Sequence, residues 1–344
     1  MHCKLLENHL YIAANGEYRM CCVSNEAANK ETVYTHTPVQ WLESTTIKTA
    51  KDQLANGQWP SSCNKCKEEE ALGIESRRIL KDWYGPGITH LDLRFGNSCN
   101  LKCISCYPGS SSSIADEVME MREQLIIPVY PVSKQTNNNW YDEKFVDYFN
   151  GMPLQEVYLT GGEPMMVKHL YTFLKTLDRN VTIRFNTNVT VFNPQIHELL
   201  KEFKKVIMSL SVDAIGKRAE YIRYGTSWEL VEENSARYAD HFEVNVTPTI
   251  SVLNAAYYNE IVDWAKERNF KIYENFLITP EWLHIKNAPD SLKSKFNLSN
   301  SWKDEPANQY QQLRFIKNIN KLDNFRNIKI KDYLPEVAAA YGID

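Results

Sequence analysis

No cysteine follows Cys106 in this chain of 344 residues; all eight lie at positions 3, 21, 22, 63, 66, 99, 103 and 106. That emptiness excludes a disulfide framework spread across the fold and says that the thiols serve as two local groups. In a reducing compartment such clusters are more often metal ligands or catalysts than disulfides. No apolar run reaches the ~20 residues that cross a bilayer. The first twenty residues hold no apolar signal-peptide core, so the expectation is a cytoplasmic protein with no membrane contact. Net charge is −4 without a block of like charge, so the basic stripe of a nucleic-acid surface is missing. No G-x-G-x-x-G follows a strand, which disfavours a dinucleotide-binding fold. No internal repeat is visible.

What is present, from residue 88 on, is a strand–helix alternation. Strands are read at 89–96, 156–164, 181–190, 205–213, 243–251 and 271–279. Helices are read at 114–125, 167–179, 194–203, 228–241 and 257–269, the third with Pro194 in its first turn. Six strands joined by helices imply right-handed crossovers and a parallel sheet. Polar and thiol residues gather at four successive strand ends: Cys99, Cys103 and Cys106; Gly161, Gly162 and Glu163; Asn186 and Asn188; Ser209, Ser211 and Asp213. An α/β barrel builds its active site there. The fold class expected is α/β, a partial (β/α)6 TIM-like barrel with a small N-terminal module.

The N-terminal stretch reads differently. Asn15-Gly16 between alternating segments is a hairpin signal. A helix-like stretch follows at 44–57, and Cys63 and Cys66 open a charged helix. Residues 133–144 look like an inserted loop. The expected division is 1–85, 86–285 and 286–344, the last a helix and tail that close the barrel's open side.

The loop "CNLKCISC" (99–106) offers three thiols and not four. Structural zinc takes four ligands. His90 is no fourth: six residues of strand put it roughly 20 Å away. A [4Fe–4S] cube normally takes four thiolates, and with three it keeps one iron open.

Here the sequence resembles the radical S-adenosylmethionine (AdoMet) enzymes. Cys99-x3-Cys103-x2-Cys106 after a first strand looks like their signature, and "GGEP" at 161–164 is similar to their second motif. "NTNVT" (186–190), "SVD" (211–213) and "YIRYG" (221–225) are similar to their third- and fourth-strand regions. Ser105 stands where many members carry an aromatic; Tyr107, on the other side of Cys106, takes that place. The resemblance implies that the open iron chelates AdoMet and that reductive cleavage yields a 5′-deoxyadenosyl radical, which abstracts hydrogen from a substrate. It implies cofactor contacts at Tyr107, Gly161, Gly162, Glu163, Asn186, Asn188, Ser211, Asp213 and Arg223. The glycines let backbone approach the methionyl amine, Glu163 adds negative charge near it, and Arg223 meets the carboxylate. Asn186, Asn188 and Ser211 reach the carboxylate or ribose. It also implies a reductant such as flavodoxin or ferredoxin.

Cys3, Gly16, Cys21, then Cys63 and Cys66, resemble the auxiliary-cluster modules called twitch and SPASM, which hold an extra [4Fe–4S] cluster. In better-known enzymes that module follows the barrel; here it precedes it. The same four thiols satisfy zinc. Adjacent strand residues face opposite ways, so Cys22 is not expected to share the cluster of Cys21. It is a small buried hydrophobe or a hydrogen-atom donor.

Bland readings stand beside these. Three cysteines also suit a partial zinc knuckle, "GGEP" a turn, Arg223 a solvated charge, and Asn186 and Asn188 helix caps. The expected substrate is a peptide or protein; the alternatives are dehydrogenation of a small alcohol or sugar and, in another class, a zinc-stapled non-catalytic binding protein.

Overall fold

The computed structural model describes residues 1–24, 31–71, 73, 75–79, 85–130, 139–299 and 301–343, the side chain of Glu143 excepted. The described strands are β1 (His9–Ile12), β2 (Tyr18–Arg19), β3 (His90–Arg94), β4 (Lys102–Cys103), β5 (Glu156–Thr160), β6 (Thr182–Thr187), β7 (Lys205–Leu210), β8 (Arg223–Tyr224), β9 (Glu243–Val246), β10 (Thr249–Ile250), β11 (Lys271–Ile272) and β12 (Asn275–Phe276). Two compact units emerge. One comprises Met1–Ser98, Asn137–Asn186 and Asn193–Ile207; the other comprises Cys99–Thr136, Thr187–Phe192 and Met208–Asp344.

In the first unit the strand order is β2-β1-β3-β5-β6. All these pairings are parallel except the β1–β2 hairpin. Alternation divides the sheet cleanly. Leu10, Ile12, Leu91, Leu93, Val157, Leu159, Ile183 and Phe185 are at most 1 % exposed. Each such side chain contributes roughly 1.5–3 kcal/mol relative to exposure. The opposite face carries His9, Tyr11, His90, Asp92, Arg94, Glu156, Tyr158 and Arg184.

The Asn15-Gly16 hairpin forms, with a longer loop than two residues. Ala13 and Glu17 pair, and Gly16 turns at φ +82°. Beyond the sequence expectation, β1 runs parallel to β3, His9 opposite His90. The expected N-terminal helices appear as Thr45–Ala55 and Asn64–Ala71. Half of the expected 133–144 loop (133–138) lies outside the described residues; beyond it Asn139 bridges Gly96 and Trp140 donates its indole N–H to Arg94 O at 2.6 Å.

In the second unit, β9 pairs in parallel with β11. Two expected long strands are broken there. The 243–251 segment splits into β9 and β10, and 271–279 into β11 and β12; β10 and β12 form a separate parallel pair. Pro248 has no N–H to give, and the N–H of Thr249 goes to the carboxylate of Asp213 at 2.7 Å. Helix Gln309–Arg326 starts on Asn308, whose side chain accepts from Tyr310 N, and stops at Asn327 with φ 53°. Helix Pro335–Tyr341 follows and ends on Gly342. Helices and parallel strands thus give the expected α/β class with a largely parallel sheet.

Candidate functional site

The three-thiol loop leaves the carboxyl end of β3 and is held from several sides in the second unit. Ser113 Oγ donates to Cys99 O at 2.7 Å and Ser111 Oγ to Leu101 O at 2.8 Å. Ser111 also caps helix Ser112–Glu123, so this serine run ties the helix start to the loop. The phenol of Tyr130 donates to Ile104 O. β4, which carries Cys103, pairs with β8, placing Cys103 opposite Arg223. Cys103 is buried, whereas Cys99 and Cys106 are half-buried and Tyr107 is exposed. Ser105 is half-buried beside them.

Arg223 already has partners. Its Nε lies 2.8 Å from Asp213 Oδ2, and Nη1 lies 3.9 Å from Cys103 Sγ. Burial pushes the Cys103 thiol up to about 12, against the pull of the Arg223 cation. The guanidinium therefore favours a thiolate at Cys103 and is itself fixed by a carboxylate that also orders Thr249. A solvated surface charge is the wrong description of Arg223: its side chain is only 13 % exposed.

Asn188 is the hub of the third strand end. Its Nδ2 lies 3.8 Å from Cys99 Sγ and donates to Asn100 Oδ1 at 2.9 Å; its Oδ1 accepts from Thr190 N and Oγ1. The next residue, Val189, sits at φ 68°, a conformation costly for a β-branched side chain. The surroundings hold it: Val189 is fully buried, and its carbonyl accepts from Asn234 Nδ2. Such strain concentrates at functional sites. Ser211 N donates to Thr187 O, leaving its half-buried side chain at the end of the fourth strand. A further support comes from the C-terminal helix. Arg326 forms a bidentate pair with Glu117 at 2.9 Å and donates to Lys102 O. Sequence reasoning missed this pair, which is separated by 209 positions, and also the serine run, which a capping signal at 110–113 would have revealed.

In the first unit, Gly161 and Gly162 have a structural reason of their own. A Cβ on Gly161 would stand 2.8 Å from Gly96 O, and one on Gly162 only 2.1 Å from Ser98 O. The N–H of Glu163 donates to Ser98 O at 2.7 Å. The double glycine thus lets the loop after β5 nest on the backbone that leads into Cys99. Glu163 is buried and its carboxylate caps Met165 N, so part of its acceptor capacity is spoken for. Asn186 is half-buried at the end of β6.

The second thiol group also lies in the first unit. Cys3, Cys21, Cys63 and Cys66 line one small cavity, together with Leu5, Leu6, Met20, Leu54, Trp59 and Arg78. Burial pushes the Cys3 thiol up to about 11 and raises Cys21 well above its usual range. Arg78 is held by Glu70 through two hydrogen bonds and stacks on Trp59 at 5.4 Å. Cys22 does not line this cavity; its charged neighbours are Asp92, Arg77, Arg94 and Lys65. Among the described residues, no three Cys, His, Asp or Glu side chains converge on a point for one metal ion. A cube spreads its thiolates over different irons, so it asks for walls of a cavity rather than convergence.

Residues 93–267 match the Radical SAM superfamily, and the chain belongs to that family. The family implies a [4Fe–4S] cluster and AdoMet. Among curated proteins, it is 25% identical over 170 residues to a probable GTP 3′,8-cyclase of Archaeoglobus fulgidus, covering 49% of this chain and 50% of that one. It is 24% identical over 166 residues to the GTP 3′,8-cyclase of Peptoclostridium acidaminophilum, covering 46% and 45%. The chain spans about half the length of the curated relatives it matches. Among solved structures, native anSMEcpe with bound AdoMet is 17% identical, with a TM-score of 0.41 over 70% of this chain and 62% of that one. SuiB of Streptococcus suis bound to S-adenosylmethionine is 10% identical, with a TM-score of 0.39 over 88% and 53%. Among the described residues no helix is long and apolar enough to cross a membrane.

Proposed function

We propose that this chain is an enzyme that cleaves AdoMet reductively and abstracts hydrogen from an organic substrate. The observation that carries the reading is the loop of Cys99, Cys103 and Cys106, within the family match and buttressed on both flanks. When bound to three thiolates, a [4Fe–4S] cluster supplies the electron and the open iron for that cleavage. The chain's own residues bind and orient. Arg223 stabilises the Cys103 thiolate while Asp213 fixes Arg223. Asn188 and Asn100 set the Cys99 side of the loop. Gly161, Gly162 and Glu163 shape the strand end that follows β5, and Tyr107, Asn186 and Ser211 remain for AdoMet contacts.

Cys3, Cys21, Cys63 and Cys66 hold an auxiliary cluster in this reading, with 1–85 as its module, 86–285 as the radical domain and 286–344 as the closing segment. Support comes from the shared cavity; because burial raises the Cys3 thiol, ligation there must displace a proton. A flavodoxin- or ferredoxin-type donor supplies electrons in a reducing, cytoplasmic setting. A peptide or protein is the preferred substrate, because the N-terminal cysteine pattern resembles modules of peptide-modifying enzymes. The curated relatives, named for a reaction of GTP, favour a second reading with a small phosphorylated substrate.

The test is direct. Anaerobically reconstituted protein, reduced with dithionite, is expected to convert AdoMet to 5′-deoxyadenosine and methionine. A colourless protein rich in zinc and inert towards AdoMet would instead establish the zinc-stapled binding protein.

A further inference from the structure

The strand that carries Cys103 has a second face. β4 pairs with β8 so that Lys102 stands opposite Tyr224 and Cys103 opposite Arg223. Successive strand residues point to opposite sides. One cross-strand pair therefore belongs to the thiol loop and the other to the back of the ladder. The contacts agree: Arg223 Nη1 lies 3.9 Å from Cys103 Sγ, whereas the Arg326 guanidinium lies 4.6 Å over the Tyr224 ring.

Lys102 and Tyr224 both line a cavity of about 600 Å³, wholly within the second unit. Its wall also includes Glu117, Ile126, Lys321, Phe325 and Arg326. Among the described residues, neither a cysteine nor any residue assigned above to AdoMet lines it. The volume is that of a small-molecule site.

The wall has more positive charge than it can pair. Arg326 is committed within the protein: Nε and Nη2 donate to the two Glu117 oxygens at 2.9 Å, and Nη2 also donates to Lys102 O. Glu117 is thereby shared already, with the Lys102 ammonium 3.9 Å away. Lys321 donates to Ile127 O at 2.6 Å, which uses one of the three donors of an ammonium. Among the described residues no carboxylate pairs with Lys321; its charged neighbour is Lys317, and burial together with that like charge lowers its pKa. Lys102, Lys321 and Arg326 thus stand against two carboxylates, Glu117 and Glu120. The cations with donors to spare are the two lysines, compact point charges of the kind that hold phosphate. Ile126 and Phe325 give the same wall an apolar part.

We propose that this cavity is a second small-molecule site, separate from that of AdoMet, for a phosphorylated ligand with a ring: Lys102 and Lys321 hold the phosphate, and Ile126 and Phe325 pack on the ring. The occupant lies behind the strand that carries Cys103. The proposal goes beyond the AdoMet-cleaving reading and stands without it.

Reconstituted full-length protein saturated with AdoMet is titrated at constant ionic strength with guanosine 5′-monophosphate or with glucose 6-phosphate, and binding is read by calorimetry. Saturable binding of at least one is expected. Lys102→Gln and Lys321→Gln should each weaken that affinity about tenfold, as loss of one charge-assisted hydrogen bond predicts. Glu120→Gln should strengthen it, because a competing carboxylate becomes neutral. No saturation by either probe overturns the site. So does displacement of the probe by AdoMet, or an affinity equal in wild type, Lys102→Gln and Lys321→Gln, which would place the probe elsewhere on the protein. AdoMet cleavage is measured on the same samples: lysine-dependent binding without cleavage supports the second site and overturns only the catalytic reading.

Discussion

The molecule keeps its thiols in two settings that differ in what surrounds them. The group at 99, 103 and 106 is three thiols on a loop, gripped by hydrogen bonds to its backbone from Ser111, Ser113, Tyr130 and Arg326. The group at 3, 21, 63 and 66 is four thiols around a cavity with apolar walls. The first is held by polar contacts reaching far along the sequence; beside the second, Arg78 is a cation fixed by Glu70. If both groups hold clusters as proposed, the loop should keep its shape without metal, whereas the cavity should depend on metal to hold its walls together. An open cluster needs a rigid frame so that one iron stays available. A closed cluster can itself be the frame.

That contrast can be broken most sharply by removing thiols. Replacing Cys99, Cys103 and Cys106 together by Ala should abolish 5′-deoxyadenosine formation and lower iron from about eight to about four per chain. The fold should survive, so the melting transition is retained. An unaltered iron content in this variant would refute the assignment.

Replacing Cys63 and Cys66 by Ala should instead cost the protein its cooperative melting transition, or lower it strongly, because metal-binding and folding free energies are one quantity in a small stapled segment. Calorimetry and iron analysis read both. If a soluble, folded variant appears, it should still cleave AdoMet.

Gly162→Ala comes next. The added methyl stands 2.1 Å from Ser98 O, so backbone must move. A loss of about 1–3 kcal/mol by denaturant unfolding is expected, with a matching fall in AdoMet affinity. Arg78→Met removes both hydrogen bonds to Glu70. It should cost about 1–3 kcal/mol and slow cluster retention at the four-thiol cavity, read as iron loss to a chelator.

The mildest effect concerns pH. The Cys3 thiol is raised from 9.0 to about 11 in the folded, iron-free protein. Between those values the unfolded chain has lost the proton and the folded chain has kept it. The stabilisation is therefore complete below pH 9 and declines as pH rises towards 11. Melting temperatures of iron-free protein should fall over that window, and those of the loaded protein should fall less, since ligated thiolates no longer titrate.

The strand–helix alternation was legible because burial imposes period 2 on strands and 3.6 on helices. β3, β5, β6 and β7 lie where their apolar residues placed them. The last strands were not legible. Nothing local marks that Asp213 takes the N–H of Thr249 and diverts the ladder around Pro248. Arg223 shows the same limit. Its neighbours in sequence give it the look of a surface charge or a ligand; Cys103 and Asp213, 120 and 10 positions away, make it a buried ion pair.

By itself the sequence determined the family, the spacing of three thiols and the class of fold, because each rests on local order along the chain. Only the tertiary structure decided that Cys3, Cys21, Cys63 and Cys66 share a cavity whose lining leaves out Cys22, and that β1 extends the parallel sheet beside β3. Pairing between distant segments is set by which buried faces and charges find partners, and that competition is settled only when the whole chain has packed.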